Sequence, residues 1–338
     1  MKQPIITFVL IAYNQETFIK EAVEAALAQT YNPLEIILSD DCSKDSTFKI
    51  IQEIVSIYSG PHKIILNQNE TNLGLCAHVN KAFQMGSGEW IVAAAGDDIS
   101  LPDRCQKLYE ATLDVPYARA VTSAWTRIDE KGNELPYNLS PRYMNGRVDY
   151  FGEEKWVKRY VKSQDIGTCG ATAMWSKVLF EQFGNLPESV PAEDAVLSYR
   201  AYLTGSVIYL NSKLVKYRTH ADNICNTTAQ NFEATEVRSN TFSRKSMHTV
   251  EAIKNDYQLY LKSHSNKFNE LNGLKLIKWS IDFVQTRCDW WNKGVGWRTL
   301  KAIKSLLSGN IIEAKWRVSR IAGLKVAKII LKIKRRFF

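Results

Sequence analysis

The sequence predicts an α/β protein with a mostly parallel central sheet flanked by helices, and three observations carry that prediction. Short apolar runs recur through the first hundred residues, each followed by a segment whose apolar positions repeat at helical spacing. Polar and acidic residues collect immediately after those runs rather than within them. The chain, at 338 residues, is long enough to bury a substantial core.

The elements follow in order. Residues 5–12 (IITFVLIA) read as a buried strand. Asn14 is then placed to cap a helix whose apolar positions 18, 19, 22, 23, 26 and 27 share one face. Residues 34–41 (LEIILSDD) form the second strand, and Phe48, Ile50, Ile51, Ile54, Val55 and Tyr58 mark the second helix. The strand 63–67, a helix over about 75–85 ending at Gly86, and the strand 90–95 (WIVAAA) complete the series, before Pro102 permits another helix. Alternation of this kind predicts parallel pairing through right-handed crossovers. No internal repeat or low-complexity segment interrupts it.

Charge is unevenly placed. Residues 290–338 hold 13 Lys or Arg against one acid, Glu313, which leaves 31 basic and 34 acidic residues before them. The net charge of +9 is therefore the sum of a body near −3 and a terminal segment near +12. A nucleic-acid binder spreads positive charge over its folded surface, so this pattern argues against nucleic acid as a partner. The six cysteines lack a C-x-x-C pair, and the N-terminus lacks a basic n-region and a small-residue cleavage site. A reducing cytoplasm is the expectation. No apolar run approaches the roughly 18 residues of a spanning helix.

In open parallel sheets, ligands bind beyond the carboxyl ends of the strands. Tyr13-Asn14 follow the first strand, Asp40-Asp41-Cys42-Ser43 the second, Asn67 and Asn69 the third, and Asp97-Asp98 the fourth. Asp, Asn and Ser also cap helices and form turns, which suffices for Asn14, Ser43 or Asp45 singly. Adjacent carboxylates at two strand ends ask for more, because like charges repel unless a cation or donor groups offset them. Oxygen ligands of this kind suit Mg²⁺ or Mn²⁺. The first glycine is Gly60, so neither a G-x-G-x-x-G fingerprint nor a Walker A loop follows the first strand, and phosphate must be held in another way.

ITFVLIAYNQETFIKEAVEAALAQTY, EIILSDDCSKDST, NETNLGLCAHVNKAF, GEWIVAAAGDD and LPDR, in this order, resemble the nucleotide-binding half of family-2 glycosyltransferases of the bacterial polysaccharide or O-antigen type. The resemblance spans about residues 4–225. It implies the GT-A nucleotide-diphospho-sugar transferase fold, inverting transfer and a divalent metal. Asp41 then matches the carboxylate that contacts the base, with Ala12, Tyr13, Asn14 and Glu16 around the nucleotide and Asn72 and Gly74 in the next nucleotide loop. GDD occupies the place of the D-x-D motif, with Asp97 as its metal-coordinating carboxylate and Asp98 able to share that task. Ala95 stands where many members carry the first Asp, and Cys42 replaces the usual Gly of a D-D-G-S turn.

The same resemblance implies the acceptor side. In PAEDAVLSYRAYLTG (191–205), Glu193-Asp194 match the family's acidic pair, with Asp194 as general base; acids in a first helical turn also simply favour the helix dipole. KYRTHADN (216–223) resembles the segment in which His220 approaches metal or diphosphate and Arg218 offsets phosphate charge. GTCGATAMW (167–175) resembles the loop beneath the acceptor, with Gly167 and Gly170 letting backbone approach a sugar. The expected partners are a nucleotide sugar, most simply a UDP-sugar, and a glycan acceptor. A catalytically silent sugar-nucleotide-binding protein and a nucleic-acid binder acting through the basic tail remain as alternatives.

The resulting organisation is a catalytic domain over 1–228, with a nucleotide half over about 1–100 and an acceptor half over about 101–228, followed by a helical region over 229–338. In 317–338, Ala322, Val326, Ile329, Ile330, Ile333 and Phe337 form one stripe and Lys325, Lys328, Lys332, Arg335 and Arg336 another. That pattern suits a helix lying on an anionic membrane surface, or a packed terminal helix with a solvated basic face. The first reading implies a peripheral protein on the inner face of the cytoplasmic membrane and a lipid-linked acceptor.

Overall fold

The computed structural model describes residues 3–135 except Pro116, the backbone of 148–149, residues 168–220 and 223, and the helix 232–263, with side chains in that helix from 247 to 262. The basic tail and the boundary of the helical region lie outside them.

The four expected strands form β1 (Ile6–Ala12), β2 (Leu34–Asp40), β3 (Lys63–Gln68) and β4 (Trp90–Ala95). Between them lie α1 (Ile19–Leu27), α2 (Thr47–Ser56) and α3 (Leu75–Gln84). The second half adds β5 (Ile99–Ser100), α4 (Arg104–Glu110), β6 (Ala118–Ile128), β7 (Val148–Asp149), β8 (Ala173–Ser176), α5 (Val178–Phe183), α6 (Glu193–Thr204), β9 (Ser206–Arg218) and α7 (Phe232–Ser263).

The strands join in one sheet of order β3-β2-β1-β4-β8-β6-β9-β5, with β7 also on β9. β1 to β4, β6 and β9 share one direction, while β5, β7 and β8 oppose it. The sheet is therefore mostly parallel, as expected. Side chains alternate across it: Ile6, Phe8 and Leu10 of β1 pack with α1 and α4 residues such as Val23 and Leu108 on one face. Val9 packs on the other with α3, α5 and α6 residues such as Phe83, Leu179 and Leu197. Burying one such Leu, Val or Phe contributes about 1.5–3 kcal/mol, so both helical layers are fixed by the strand period itself.

The register brings the site together. Ala12 pairs with Asp40, and Ile11 with Ala95, so β1, β2 and β4 end side by side. β8 runs against β4 with Val92 opposite Met174, which sets the 3₁₀ turn Gly170–Thr172 beside the same end of β4.

One local expectation is corrected. Asn14 does not cap α1, whose N-cap is Phe18. Its φ is +52°, a left-handed conformation that Asn tolerates, and its Oδ1 accepts a bond from the Lys44 amide at 2.8 Å. Tertiary contact with the loop after β2 outweighs local capping.

Candidate functional site

The first part of the site is a carboxylate that gathers a loop. Asp41, 3% exposed, follows β2, and its amide donates to the Ala12 carbonyl at 2.9 Å. Its Oδ1 accepts from Asn69 Nδ2 at 2.8 Å and the Leu73 amide at 2.9 Å, and its Oδ2 accepts from the Gly74 amide at 3.0 Å. Asn72 Nδ2 donates to the Asp41 carbonyl at 3.4 Å. Gly74 has φ +79° at the N-cap of α3, a conformation that glycine reaches without strain and that turns its amide toward Asp41. Asp41, Asn72 and Gly74 thus form one unit. Beneath it, His78 Nε2 lies 2.7 Å from Ser39 Oγ, and burial pulls its pKa down.

The loop after β1 is fastened to the loop after β2. The Asn14 amide donates to Ser43 Oγ at 2.8 Å, and the Gln15 amide to Thr47 Oγ1 at 2.7 Å. The Glu16 amide donates to Asp45 Oδ2 at 3.1 Å, while Glu16 Oε2 accepts from the Ser46 amide at 2.9 Å. Glu16 and Asn14 therefore shape the rim of the crevice, and Tyr13 stands exposed on it. Cys42 sits between the loops with φ +61°.

The second part is the turn after β4. Asp97 Oδ2 lies 2.9 Å from His220 Nε2 and accepts from Asn223 Nδ2 at 3.1 Å. Asn223 also accepts the His220 amide at 2.6 Å, which fixes the imidazole's own backbone. Asp98 turns inward: its Oδ1 accepts the Arg218 amide at 2.8 Å, and its Oδ2 is buried without a partner among the described residues. Burial first, and then the Asp97 charge beside it, push the Asp98 carboxyl well above the usual range. Through Oδ1, Asp98 secures the turn, and Asp97 is the carboxylate that meets His220.

Arg218 is 1% exposed, and its guanidinium donates to the carbonyls of Asp97 and Glu130 and to Glu21.

The third part is the acidic pair at the start of α6. Asp194 Oδ2 accepts the Gly170 amide at 3.2 Å. A Cβ on Gly170 would meet Glu193 Oε1, so the loop lies close against the pair at this glycine. Burial, reinforced by Asp194, pushes Glu193 up to about 8. Cys76 lies beside the pair with its thiol pushed up to about 12 by burial. Gly167 lies outside the described residues.

The donor set at Asp97 fits a divalent cation. One carboxylate and one imidazole converge within hydrogen-bond distance, a combination that suits Mn²⁺ and accommodates Mg²⁺. No cluster of three or more His, Cys, Asp or Glu forms among the described residues. Phosphate oxygens and water are the usual remaining ligands of such ions at nucleotide sites. Sequence reasoning missed Glu21 as part of these constellations, and gave Asn223 no role although it stands three residues after His220.

Residues 7–182, just over half of the chain, match Glycosyl transferase family 2. The chain is 26% identical over 222 residues to the glycosyltransferase GlyA of Streptococcus pneumoniae serotype 4; that match covers 63% of this chain and 30% of GlyA, so the chain spans under a third of that relative. Among solved structures, S. aureus TarS 1-349 in complex with UDP-GlcNAc aligns over 94% of this chain and 92% of its own, with a TM-score of 0.56 at 15% identity. The mannosyltransferase PcManGT from Pyrobaculum calidifontis, in complex with GDP-Man and Mn²⁺, aligns over 97% and 87% with a TM-score of 0.53 at 14% identity. The folds are alike, of the GT-A type. The order of strand-end motifs, their convergence at one end of the sheet and the family match lead to one conclusion: this chain belongs to glycosyltransferase family 2.

Proposed function

We propose that the protein moves a sugar from a nucleotide-sugar donor, a UDP-sugar in our reading, to a hydroxyl of a glycan acceptor with inversion at the anomeric carbon. One observation carries this reading: Asp41 with its loop, the Asp97–His220 pair and the Glu193–Asp194 pair are all set at the same end of the sheet by strand register. TarS with UDP-GlcNAc and PcManGT with Mn²⁺ support it by likeness of fold.

Each residue then has a task set by its chemistry. A carboxylate only accepts, so Asp41 reads an N–H of the base. Asp97 and His220 would hold Mn²⁺ or Mg²⁺, which supplies positive charge to a departing diphosphate. Asp194 takes the proton of the acceptor hydroxyl; the freed oxygen bonds to the anomeric carbon as the bond to the diphosphate oxygen breaks, its electron pair leaving with the nucleoside diphosphate. Burial raises the Glu193 carboxyl and so favours its neutral form over the carboxylate that abstraction needs. A single displacement from the opposite face inverts configuration.

The lipid-linked acceptor, the place in cell-surface polysaccharide synthesis and the site of action on the cytoplasmic membrane face belong to the same proposal. They rest on the basic stripe of residues 317–338. The donor reading is tested by thermal shift with UDP, GDP or dTDP, each with and without Mn²⁺. A ligand that binds only the native state raises the midpoint. A Mn²⁺-dependent rise with UDP is expected; a rise with none of them would exclude nucleotide-sugar chemistry, and binding without turnover of any UDP-sugar would favour a silent binding protein.

A further inference from the structure

A buried guanidinium is costly unless its N–H groups are met, so the partners of one reveal its task. Arg218 closes β9 at the mouth of the crevice. Its Nε donates to the Asp97 carbonyl at 2.9 Å, and its Nη1 to the carbonyls of Asp129 at 3.3 Å and Glu130 at 3.0 Å. Its Nη2 donates to Glu21 Oε2 at 2.7 Å, and its own amide to Asp98 Oδ1 at 2.8 Å. The guanidinium also lies 4.8 Å from the centre of the Phe18 ring, and the same ring lies 4.9 Å from the His220 imidazole. One side chain thus grips the turn that presents Asp97, the hairpin after β6, and the aromatic shelf under His220.

Glu21 is the carboxylate that faces this arginine, from the first turn of α1 and 197 residues away in sequence. Its side chain is 56% exposed, so on the surface it resembles any helical glutamate. On the other flank, Arg104 Nη2 donates to the Ala93 carbonyl at 2.7 Å and Nη1 to Ser100 Oγ at 2.9 Å, which ties β4 to β5 below the turn. The turn is braced from below by Arg104 and from above by Arg218, and only the upper brace depends on an exposed residue of the nucleotide half.

We infer that Glu21 and Arg218 form a positioning clamp that sets Asp97 and His220 at the spacing a divalent cation and its diphosphate require. Neither residue touches the cation. Glu21 aims the guanidinium, and the guanidinium fixes the backbone of Asp97. A lysine could not replace Arg218, because a point charge cannot meet acceptors in several fixed directions. In naming the cation this inference rests on the function proposed above; the clamp itself rests on geometry.

Glu21→Ala tests it without disturbing α1, since alanine is the best helix former. Glu24→Ala is the control: Glu24 lies on the same helix in an exposed pair with Lys20 at 4.0 Å. Two measurements are made on the full chain. Mn²⁺ alone is titrated by electron paramagnetic resonance, and hydrogen exchange is followed in metal-free protein at the amides of Gly96, Asp98 and Arg218, which donate to Ile11, Ala95 and Asp98. Glu21→Ala should weaken Mn²⁺ binding about tenfold, as loss of a metal site's supporting partner does, and should speed exchange at those three amides, while Glu24→Ala changes neither. Glu21→Gln, which keeps an acceptor, should restore part of both. Wild-type Mn²⁺ affinity and unchanged exchange in Glu21→Ala would overturn the clamp. If the wild type binds no Mn²⁺, the metal reading falls, and the exchange arm alone decides the clamp.

Discussion

His220 Nε2 stands 2.9 Å from Asp97 Oδ2 although 123 residues separate them. The contact joins the end of β4 to the end of β9, and it is the place where a carboxylate and an imidazole can serve one cation. Asp97→Asn keeps the shape and removes the anionic ligand, so Mn²⁺ and UDP affinity should fall together, by at least about tenfold on the scale of metal-site substitutions. Calorimetric titration of UDP with and without Mn²⁺ measures both.

Gly170 packs closely against the acidic pair. A Cβ there meets Glu193 Oε1, so Gly170→Ala must turn that carboxyl or the loop aside. Overpacking of this kind costs about 1–3 kcal/mol, read by urea denaturation, and transfer should drop with it because Asp194 loses its bond from the Gly170 amide.

Glu193 makes stability depend on pH. Its folded pKa is raised from 4.5 to about 8 by burial and by Asp194, so the native state holds that proton more tightly than the unfolded chain. The contribution is fully present below about 4.5 and is lost as pH rises through about 8. Glu193→Gln cannot ionise, so its melting temperature should fall less than that of the wild type between those limits. At the alkaline end the variant should be the more stable protein.

Cys42 carries a left-handed φ of +61°, a conformation that costs a side chain roughly 1–2 kcal/mol. Cys42→Gly removes that strain but gives up Sγ contact with the Glu70 carbonyl and adds freedom to the unfolded chain. The balance predicts stabilisation of up to about 1 kcal/mol, since the freedom added offsets only part of the strain, with UDP affinity unchanged. Chemical denaturation and calorimetry decide it.

Much of the nucleotide half was legible because its strands are buried on both faces and read as continuous apolar runs; all four were placed within two residues of their observed limits. The second half was less so. β6 and β8 lie about 50 residues apart and are joined by pairing that no local period encodes. Asn14 was misread because capping is a local rule, whereas its partner Lys44 comes from the next strand's loop. The partners of Arg218 were hidden for the same reason: the carbonyls of Asp129 and Glu130 and the carboxylate of Glu21 reach it from distant parts of the chain. The acidic pairs were visible as pairs, but their inequality was not, since only packing shows that burial raises Asp98 and Glu193.

The central claim is that Asp194 takes the acceptor's proton while Asp97 and His220 serve the donor end. Its most direct test is nucleoside diphosphate release by Asp194→Asn, measured beside that variant's affinity for UDP with Mn²⁺. Loss of a general base typically slows reaction by about 10²- to 10⁴-fold; the account predicts that loss with UDP affinity within twofold of the wild type, since Asp194 lies on α6 and Asp97 follows β4. Near-normal transfer by Asp194→Asn would contradict it.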